Sequence, residues 1–208
     1  MLENIKINPE FQRLIPPLTD NEFEVLKKDI LSAGEIYTPI FVWNGYIIDG
    51  HHRFKILSEY SYIRFRVIEK EFENVDEVVS WICNNQLGRR NLTPENRKYL
   101  IGKRYGVEKK THGASDRFRG NQYKHIESSE NESSSHITRK RIAQETGTSE
   151  GYVRRAHEFA RGIDKVEKVL PGIKKEILSG SKKITAKDIS TISKAISKES
   201  EILAEILR

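Results

Sequence analysis

Residues 46–57 most constrain what this chain can fold into, because a short apolar run ends there and a helical pattern follows at once. The apolar run stops at Asp49-Gly50, and apolar residues return after it at helical spacing. Asn44-Gly45 stands just before the run and is the strongest short-range signal for a two-residue hairpin. The pattern predicts strand, tight turn and helix, with the glycine where the sheet passes to the helix.

The predicted turn offers several donors to an anion. A helix start carries backbone N–H groups and the positive end of the helix dipole. His51, His52 and Arg53 lie in the same turn, so Gly50 and these three residues are candidates for holding a phosphate. The residues alone leave a second interpretation open, a tight turn capped by Asp49 with solvated basic side chains, since one glycine is a weaker signal than a multi-glycine loop.

Three segments resemble boxes of the ParB/sulfiredoxin superfamily, in particular its phage, plasmid and integrative-element members. Asp-Gly-His-His-Arg at 49–53 resembles the phosphate-binding box, in which Gly-x-x-Arg follows a strand. Residues 7–11 with 34–42 resemble the first box, and residues 85–94 resemble the third. The resemblance spans about the first half of the chain, and it implies a small α+β domain that binds CTP or another nucleoside triphosphate.

The third box departs from the pattern of CTP-hydrolysing ParB proteins, which place an acidic residue and an asparagine there to hold Mg²⁺. Asn85 and Gln86 stand at those positions, and neutral amides are weak ligands for a hard cation. The resemblance thus implies nucleotide binding with weak or absent hydrolysis, and we assign no catalytic residue and no metal ligand. Arg89 and Arg90 suit phosphate contact, with plain surface charges at a helix end as the alternative.

Charge and periodicity divide the chain into three parts. The net charge of +6 falls entirely in residues 137–208, which hold 16 Lys and Arg against 10 Asp and Glu. Periodicity is lost over 108–136, and Gly106 is the expected stop of the helix before it. We therefore predict a ParB-like domain over 1–107, a flexible linker over 108–136, and an all-helical domain over 137–208. The basic third indicates a polyanionic partner, with a solvated lysine-rich surface as the alternative.

The start of the basic third follows the rhythm of a helix-turn-helix. A small residue, Ala143, packs one helix on the next, Gly147 makes the turn, and Val153 anchors the second helix. The pattern predicts double-stranded DNA as the partner, and an ordinary helical hairpin is the alternative. The residues predicted at the exposed start of the recognition helix, where side chains meet base edges and phosphates, are Ser149, Glu150, Tyr152, Arg154 and Arg155.

An apolar stripe near the end of the chain requires a partner surface. We predict that it packs back onto the helix-turn-helix, and a homodimer seam is the alternative. Its members are Ile189, Ile192, Ile196, Leu203 and Ile206.

Several classes of protein are disfavoured. The lone Cys83 lies in an apolar helical pattern and is expected to be a buried thiol. Sulfiredoxin chemistry requires a cysteine in the turn where His51 stands. Neither a charged-then-apolar leader nor a run of about 18 apolar residues occurs, so we expect a cytoplasmic protein without membrane contact.

These observations favour a ParB-like DNA-binding protein of a plasmid, phage or integrative element that also binds a nucleoside triphosphate. It would act in partition or in control of transcription or replication. Two alternatives stay open: a kinase-like or nuclease-like enzyme of the same fold, with Glu35 or Asp49 as base, and a DNA-binding adaptor with a vestigial pocket. A helix-turn-helix argues against the small-molecule kinase, which has no use for one.

Overall fold

The computed structural model describes the backbone of residues 5–115 and 129–206, and the side chains of residues 5–110 and 134–199. The chain divides into two compact units, Met1–Ile82 and Cys83–Arg208. The first unit mixes helices with a small sheet, whereas the described part of the second is entirely helical. The predicted α+β fold with a separate helical region is confirmed.

The helices of the first unit begin and end where the chain provides caps. Thr19 and Glu22 form a capping box at the start of α2, and Gly34 closes it in the left-handed conformation. The described helices that begin in this unit are α1 (Pro9–Gln12), α2 (Asp20–Ala33), α3 (His51–Glu59) and α4 (Val75–Leu87), the last of which continues into the second unit.

A three-stranded sheet forms the centre of the first unit. Strands β1 (Ile40–Trp43), β2 (Tyr46–Asp49) and β3 (Val67–Glu69) lie in the order β2-β1-β3. β1 pairs antiparallel with β2 and parallel with β3. Asn44 and Gly45 both have positive φ, 48° and 76°, which is the geometry of a two-residue hairpin turn. The predicted hairpin is confirmed.

The core of the first unit fixes the direction in which α3 leaves the sheet. Ile40 and Ile47 from the sheet pack with Ile56 and Leu57 of α3, and all four side chains are fully buried. Burying such a side chain contributes about 1.5 to 3 kcal/mol. The start of α3 is thereby held at the end of β2.

The second unit is arranged around one long helix. The described helices that begin here are α5 (Pro94–Ser115), α6 (Ser129–Thr146), α7 (Glu150–Val169), α8 (Ile173–Leu178) and α9 (Ala186–Ile206). α7 contacts each of the other four. It packs tightly against α5 at Gly102, where an added Cβ would overlap the carbonyl oxygen of Ala156. Glycine is required there by packing rather than by backbone conformation.

The structure narrows the predicted linker and moves the predicted domain boundary. α5 runs past Gly106 to Ser115, and α6 already begins at Ser129. Gly106 does not end its helix because it packs against α7, where an added Cβ would lie 2.9 Å from His157 Cε1, and such tertiary contact overrides helix propensity. Residues 116–128 lie outside the described residues, so a flexible linker there stays a prediction.

The unit boundary after Ile82 has the same physical cause. Ile101 and Tyr105 of α5 share one apolar cluster with Ile142 of α6 and Val153 of α7. α5 therefore belongs to the helical unit, although the sequence pattern assigned it to the first domain.

The described beginning of the C-terminal apolar stripe packs onto α7. Ile189 is buried, and its Cγ2 lies 2.6 Å from where a Cβ on Gly162 would stand. Ile192, in contrast, is 40% exposed. The side chains of Leu203 and Ile206 lie outside the described residues.

Two smaller expectations concern the cysteine and the membrane. Cys83 is fully buried, as predicted, and burial raises the pKa of its thiol to about 12, so the thiolate needed for reactivity is not formed near neutral pH. Over residues 5–115 and 129–206, no helix is both long and apolar enough to cross a membrane.

Candidate nucleic-acid and phosphate interfaces

The Gly50 turn joins β2 to α3 as predicted. Gly50 adopts φ 102° and ψ 17° at the N-cap of α3, and its carbonyl oxygen accepts a hydrogen bond from the Phe54 N–H at 2.8 Å. Residues with a Cβ rarely adopt so positive a φ, so glycine is needed for the chain to turn here. The N-terminal end of α3 begins at a buried position, because Gly50 and His51 are both buried.

The space beside Gly50 is already filled by its own unit. An added Cβ would lie 3.2 Å from both Ile40 Cγ1 and Arg53 Nη2. The same Nη2 donates to Asp49 Oδ2 at 2.9 Å, and the two side chains are only 15% and 8% exposed. The fold itself therefore uses both the glycine and the arginine, the latter as the counter-charge of a buried carboxylate.

The two histidines of the turn differ in burial. His51 is 6% exposed, so its imidazole packs inside the unit, whereas His52 is half-buried. The structure thus brings Gly50, His52 and Arg53 to one turn but places the His51 ring in the interior. The groups suited to an anion are the backbone N–H groups at the start of α3 and the side-chain nitrogens of His52 and Arg53.

The four candidate residues from the third box belong to the second unit and are described within it. Asn85 is exposed and Gln86 is fully buried near the end of α4. Neighbouring helical residues point about 100° apart, so these two amides do not face one ligand together. Arg89 is half-buried and Arg90 exposed, and both lie beyond the helix. Their part in nucleotide binding stays a prediction.

Among the residues that the structure describes, no group of three or more His, Cys, Asp or Glu is placed to hold a metal ion.

In the second unit, α6, a turn over residues 147–149 and α7 follow the predicted rhythm. Gly147 turns the chain with φ 65°, and the Thr148 N–H donates to the Ala143 carbonyl oxygen at 2.9 Å. Ser149 caps α7, since its Oγ accepts a hydrogen bond from the Tyr152 N–H at 3.1 Å. Ala143 and Val153 are buried in the shared apolar cluster, so the two helices are held at a fixed angle.

The two predicted arginines of α7 lie on the surface. Arg154 and Arg155 are exposed, and neither forms an ion pair with any residue whose side chain the structure describes. Arg155 lies back along the first turn of the helix, with Nη1 3.3 Å from where a Cβ on Gly151 would stand. Their positive charges are therefore available to an anionic partner.

Two other residues predicted to contact DNA, Glu150 and Tyr152, contact residues of their own unit instead. The Glu150 carboxylate accepts a hydrogen bond from Arg139 Nε at 3.1 Å and lies 3.3 Å from His136 Nε2, which ties the start of α7 to α6. Tyr152 is half-buried against the apolar cluster, and burial raises the pKa of its hydroxyl. These contacts indicate that the two residues help to hold α7 in place.

Two basic residues of α5 lie beside α6 and α7, and the helix-turn-helix pattern did not include them. Arg97 Nη2 donates to the carbonyl oxygen of Thr146 at 2.8 Å, which caps the end of α6. Lys98 Nζ lies 4.5 Å from the centroid of the Phe159 ring, and its pKa is lowered by burial and by the nearby charge of Arg155. We call Lys98, Arg154 and Arg155 the α7 basic surface.

Comparison with known sequences gives a partial match. No protein-family model matches the chain. The chain is 30% identical over 102 residues to the uncharacterized protein ORF326b of Acidianus two-tailed virus. That match covers 49% of this chain and 31% of the viral protein, so the chain spans less than a third of its relative's length.

Comparison with solved structures is informative about the fold. One crystal form of a pNOB8-like ParB N-domain aligns with a TM-score of 0.56 at 18% identity, covering 98% of this chain and 80% of that one. Another structure of the pNOB8-like ParB N-domain aligns with a TM-score of 0.53 at 15% identity, covering 93% of each chain. The Caulobacter crescentus chromosome-partitioning protein ParB, complexed with CTP-gamma-S, aligns at 15% identity over 94% of this chain and 95% of that one, but its TM-score of 0.35 establishes neither fold nor ligand here. The chain has the fold of a ParB-like N-terminal domain, of the type represented by the pNOB8-like proteins.

Proposed function

We propose that this chain is a partition-type DNA-binding protein whose α7 basic surface contacts the phosphates of a duplex. One observation carries the proposal: Arg154 and Arg155 project from the first two turns of a capped helix, and no described carboxylate balances them. The ParB-like fold supports a partition-type role.

The chemistry of the surface suits a phosphate backbone. A cation that is not held in an internal ion pair contacts a phosphate without first breaking one, and each contact releases condensed counterions from the DNA. Guanidinium groups also match the geometry of phosphate oxygens through paired N–H donors. Lys98 adds a third charge from α5, so the surface spans two helices.

Fluorescence anisotropy with a short labelled duplex tests the proposal on the full chain. The variant carrying Arg154→Ala and Arg155→Ala is expected to bind at least about tenfold more weakly, because two charge-assisted contacts are lost. Lys168→Ala with Lys175→Ala removes the same charge from exposed positions of the same unit and is expected to bind like the wild type. Equal affinity of the arginine variant and the wild type would contradict the proposal.

A second function, binding of CTP or another nucleoside triphosphate at the Gly50 turn, is favoured by the start of α3. A glycine with positive φ leads into a helix of nine residues, with His52 and Arg53 in its first turn. Such a helix start is a common phosphate site because its N–H groups and dipole face the anion. The neutral Asn85 and Gln86 of the third box make rapid Mg²⁺-dependent hydrolysis unexpected.

Isothermal titration with CTP, ATP, GTP and UTP, with and without Mg²⁺ and DNA, tests this second function. CTP is expected to bind, and Arg53→Lys, which retains a charge near Asp49, is expected to bind it more weakly than the wild type. A phosphate-release assay on the same preparation is expected to show slow turnover. Absence of heat with all four triphosphates under all these conditions would remove the nucleotide function and leave the DNA function standing.

A further inference from the structure

A cleft of about 370 Å³ lies between α5 and α7, outside both surfaces described above. Gly102 and Gly106 form part of its α5 wall, where the missing side chains leave room for His157 of α7. Among the residues that the structure describes, four basic side chains and one carboxylate, that of Asp164, line the cleft. The basic lining residues are Lys103, Lys109, Lys110 and Arg161.

The positive charge of the cleft is only partly balanced. Lys103 Nζ lies 2.9 Å from Asp164 Oδ2 in an ion pair. Lys109 and Arg161 have no carboxylate partner among the described side chains. The pKa of Lys109 is lowered by burial and then by the neighbouring charges of Arg161 and Lys110. Cations that repel each other in a concave site are relieved by an anion.

His157 holds Lys109 at the cleft. Its Nδ1 lies 3.2 Å from the Gly102 carbonyl oxygen and donates to it, which leaves Nε2 to accept from Lys109 Nζ at 3.0 Å. Burial and the charges of Lys109 and Arg161 lower the pKa of His157 to about 4, so the ring is neutral at pH 7. The imidazole therefore positions the ammonium group without adding a competing charge.

We propose that this cleft binds a phosphate group, with Lys109 and Arg161 as its charged contacts. Its volume falls within the range of small-ligand sites, roughly 300 to 1,000 Å³, so a compact polyphosphate can enter it. Arg161 stands seven residues after Arg154 on α7 and thus on nearly the same helix face. The phosphate can therefore come either from a free polyphosphate or from the backbone of bound DNA, and the recognition chemistry is the same.

The test uses inorganic tripolyphosphate as the probe and the full chain as the receptor. Isothermal titration is expected to show binding that Arg161→Ala weakens about tenfold or more, since one charge-assisted contact is lost. Lys109→Gln is expected to weaken it comparably. Lys168→Ala removes an exposed charge from the same helix and is expected to bind like the wild type. Arg161 is exposed, so its loss leaves folding intact even where Lys109→Gln does not.

Imidazole resonances separate this site from the Gly50 turn. Tripolyphosphate is expected to shift the NMR signals of the His157 ring, assigned with His157→Gln, and to do so equally in Arg53→Lys protein. An unmoved His157 signal, or unchanged affinity of the Arg161→Ala protein, overturns the proposal. Competition with a duplex then identifies the source: displacement of tripolyphosphate by DNA indicates a backbone phosphate, and simultaneous binding of both indicates a free polyphosphate.

Discussion

The Gly50 turn and the start of α7 look alike in sequence, because in each a glycine turn leads into a helix whose first two turns carry basic residues. They differ in what balances the charge. Arg53 forms a mostly buried ion pair with Asp49, whereas Arg154 and Arg155 are exposed and have no described carboxylate partner. The same local pattern thus serves internal structure in one unit and offers surface charge in the other.

This difference separates residues that hold the fold from residues that meet a partner. Truncating a buried, ion-paired cation leaves its carboxylate in a poorly solvated place, and that cost falls on stability. Truncating an exposed cation with no partner costs little stability, and any loss appears in binding. Substitution of Arg53 should therefore lower the stability of the fold, whereas substitution of Arg154 or Arg155 should lower the affinity for the partner.

The largest expected effect is on stability in the first unit. Arg53→Ala should lower the free energy of unfolding by about 2 to 3 kcal/mol, because the buried Asp49 carboxylate loses its guanidinium. Arg154→Ala should change it by no more than about 0.5 kcal/mol. Urea denaturation of both variants measures the difference, and equal stability of the two would break the comparison.

The free energy of unfolding of the second unit is expected to change with pH by about 1 to 2 kcal/mol, after allowance for partial solvent screening of His157. The pKa of this imidazole is lowered to about 4 in the folded chain, below its ordinary 6.5. The unfolded chain therefore binds the proton more tightly, so the stability contribution is full above pH 6.5 and is lost as the pH falls towards 4. Denaturation midpoints of wild type and His157→Gln should converge over this window, and a constant gap would contradict the assignment.

Replacing each of the two turn glycines by alanine should lower the free energy of unfolding, and the two losses should differ by about 1 kcal/mol. Gly50→Ala and Gly147→Ala both force alanine to positive φ, which costs about 1 kcal/mol or more at each. An added Cβ at Gly50 meets crowded neighbours at 3.2 Å, whereas no atom of the described residues lies within 4 Å of one at Gly147. Urea titrations measure the loss for each variant. A larger loss of stability for Gly147→Ala than for Gly50→Ala would show that the neighbouring atoms do not restrict a side chain at Gly50.

Local signals made much of the fold predictable from the sequence. The hairpin at Asn44-Gly45, the capping box at Thr19 and the cap at Ser149 each depend on a few adjacent residues, and each stands where expected. Features decided by distant packing could not be predicted. Gly106 stays helical because α7 lies against it, and no local signal carries that contact.

The candidate sites divide in the same way. The sequence could place Arg154 and Arg155 after a turn, and they are exposed there. It could not show that Arg53 pairs with a buried Asp49, nor that Lys98 of α5 comes close enough to Arg155 to have its pKa lowered. Both facts depend on three-dimensional neighbours rather than on spacing along the chain.

The salt dependence of duplex binding tests the central claim most directly. A plot of the logarithm of the association constant against the logarithm of salt concentration has a slope set by the number of phosphate contacts, at roughly 0.9 per contact. The variant with Arg154→Ala and Arg155→Ala is expected to lower that slope by about two contacts, while Arg53→Lys leaves it unchanged. Identical slopes for the wild type and the double arginine variant would contradict the assignment of the α7 basic surface as the DNA interface.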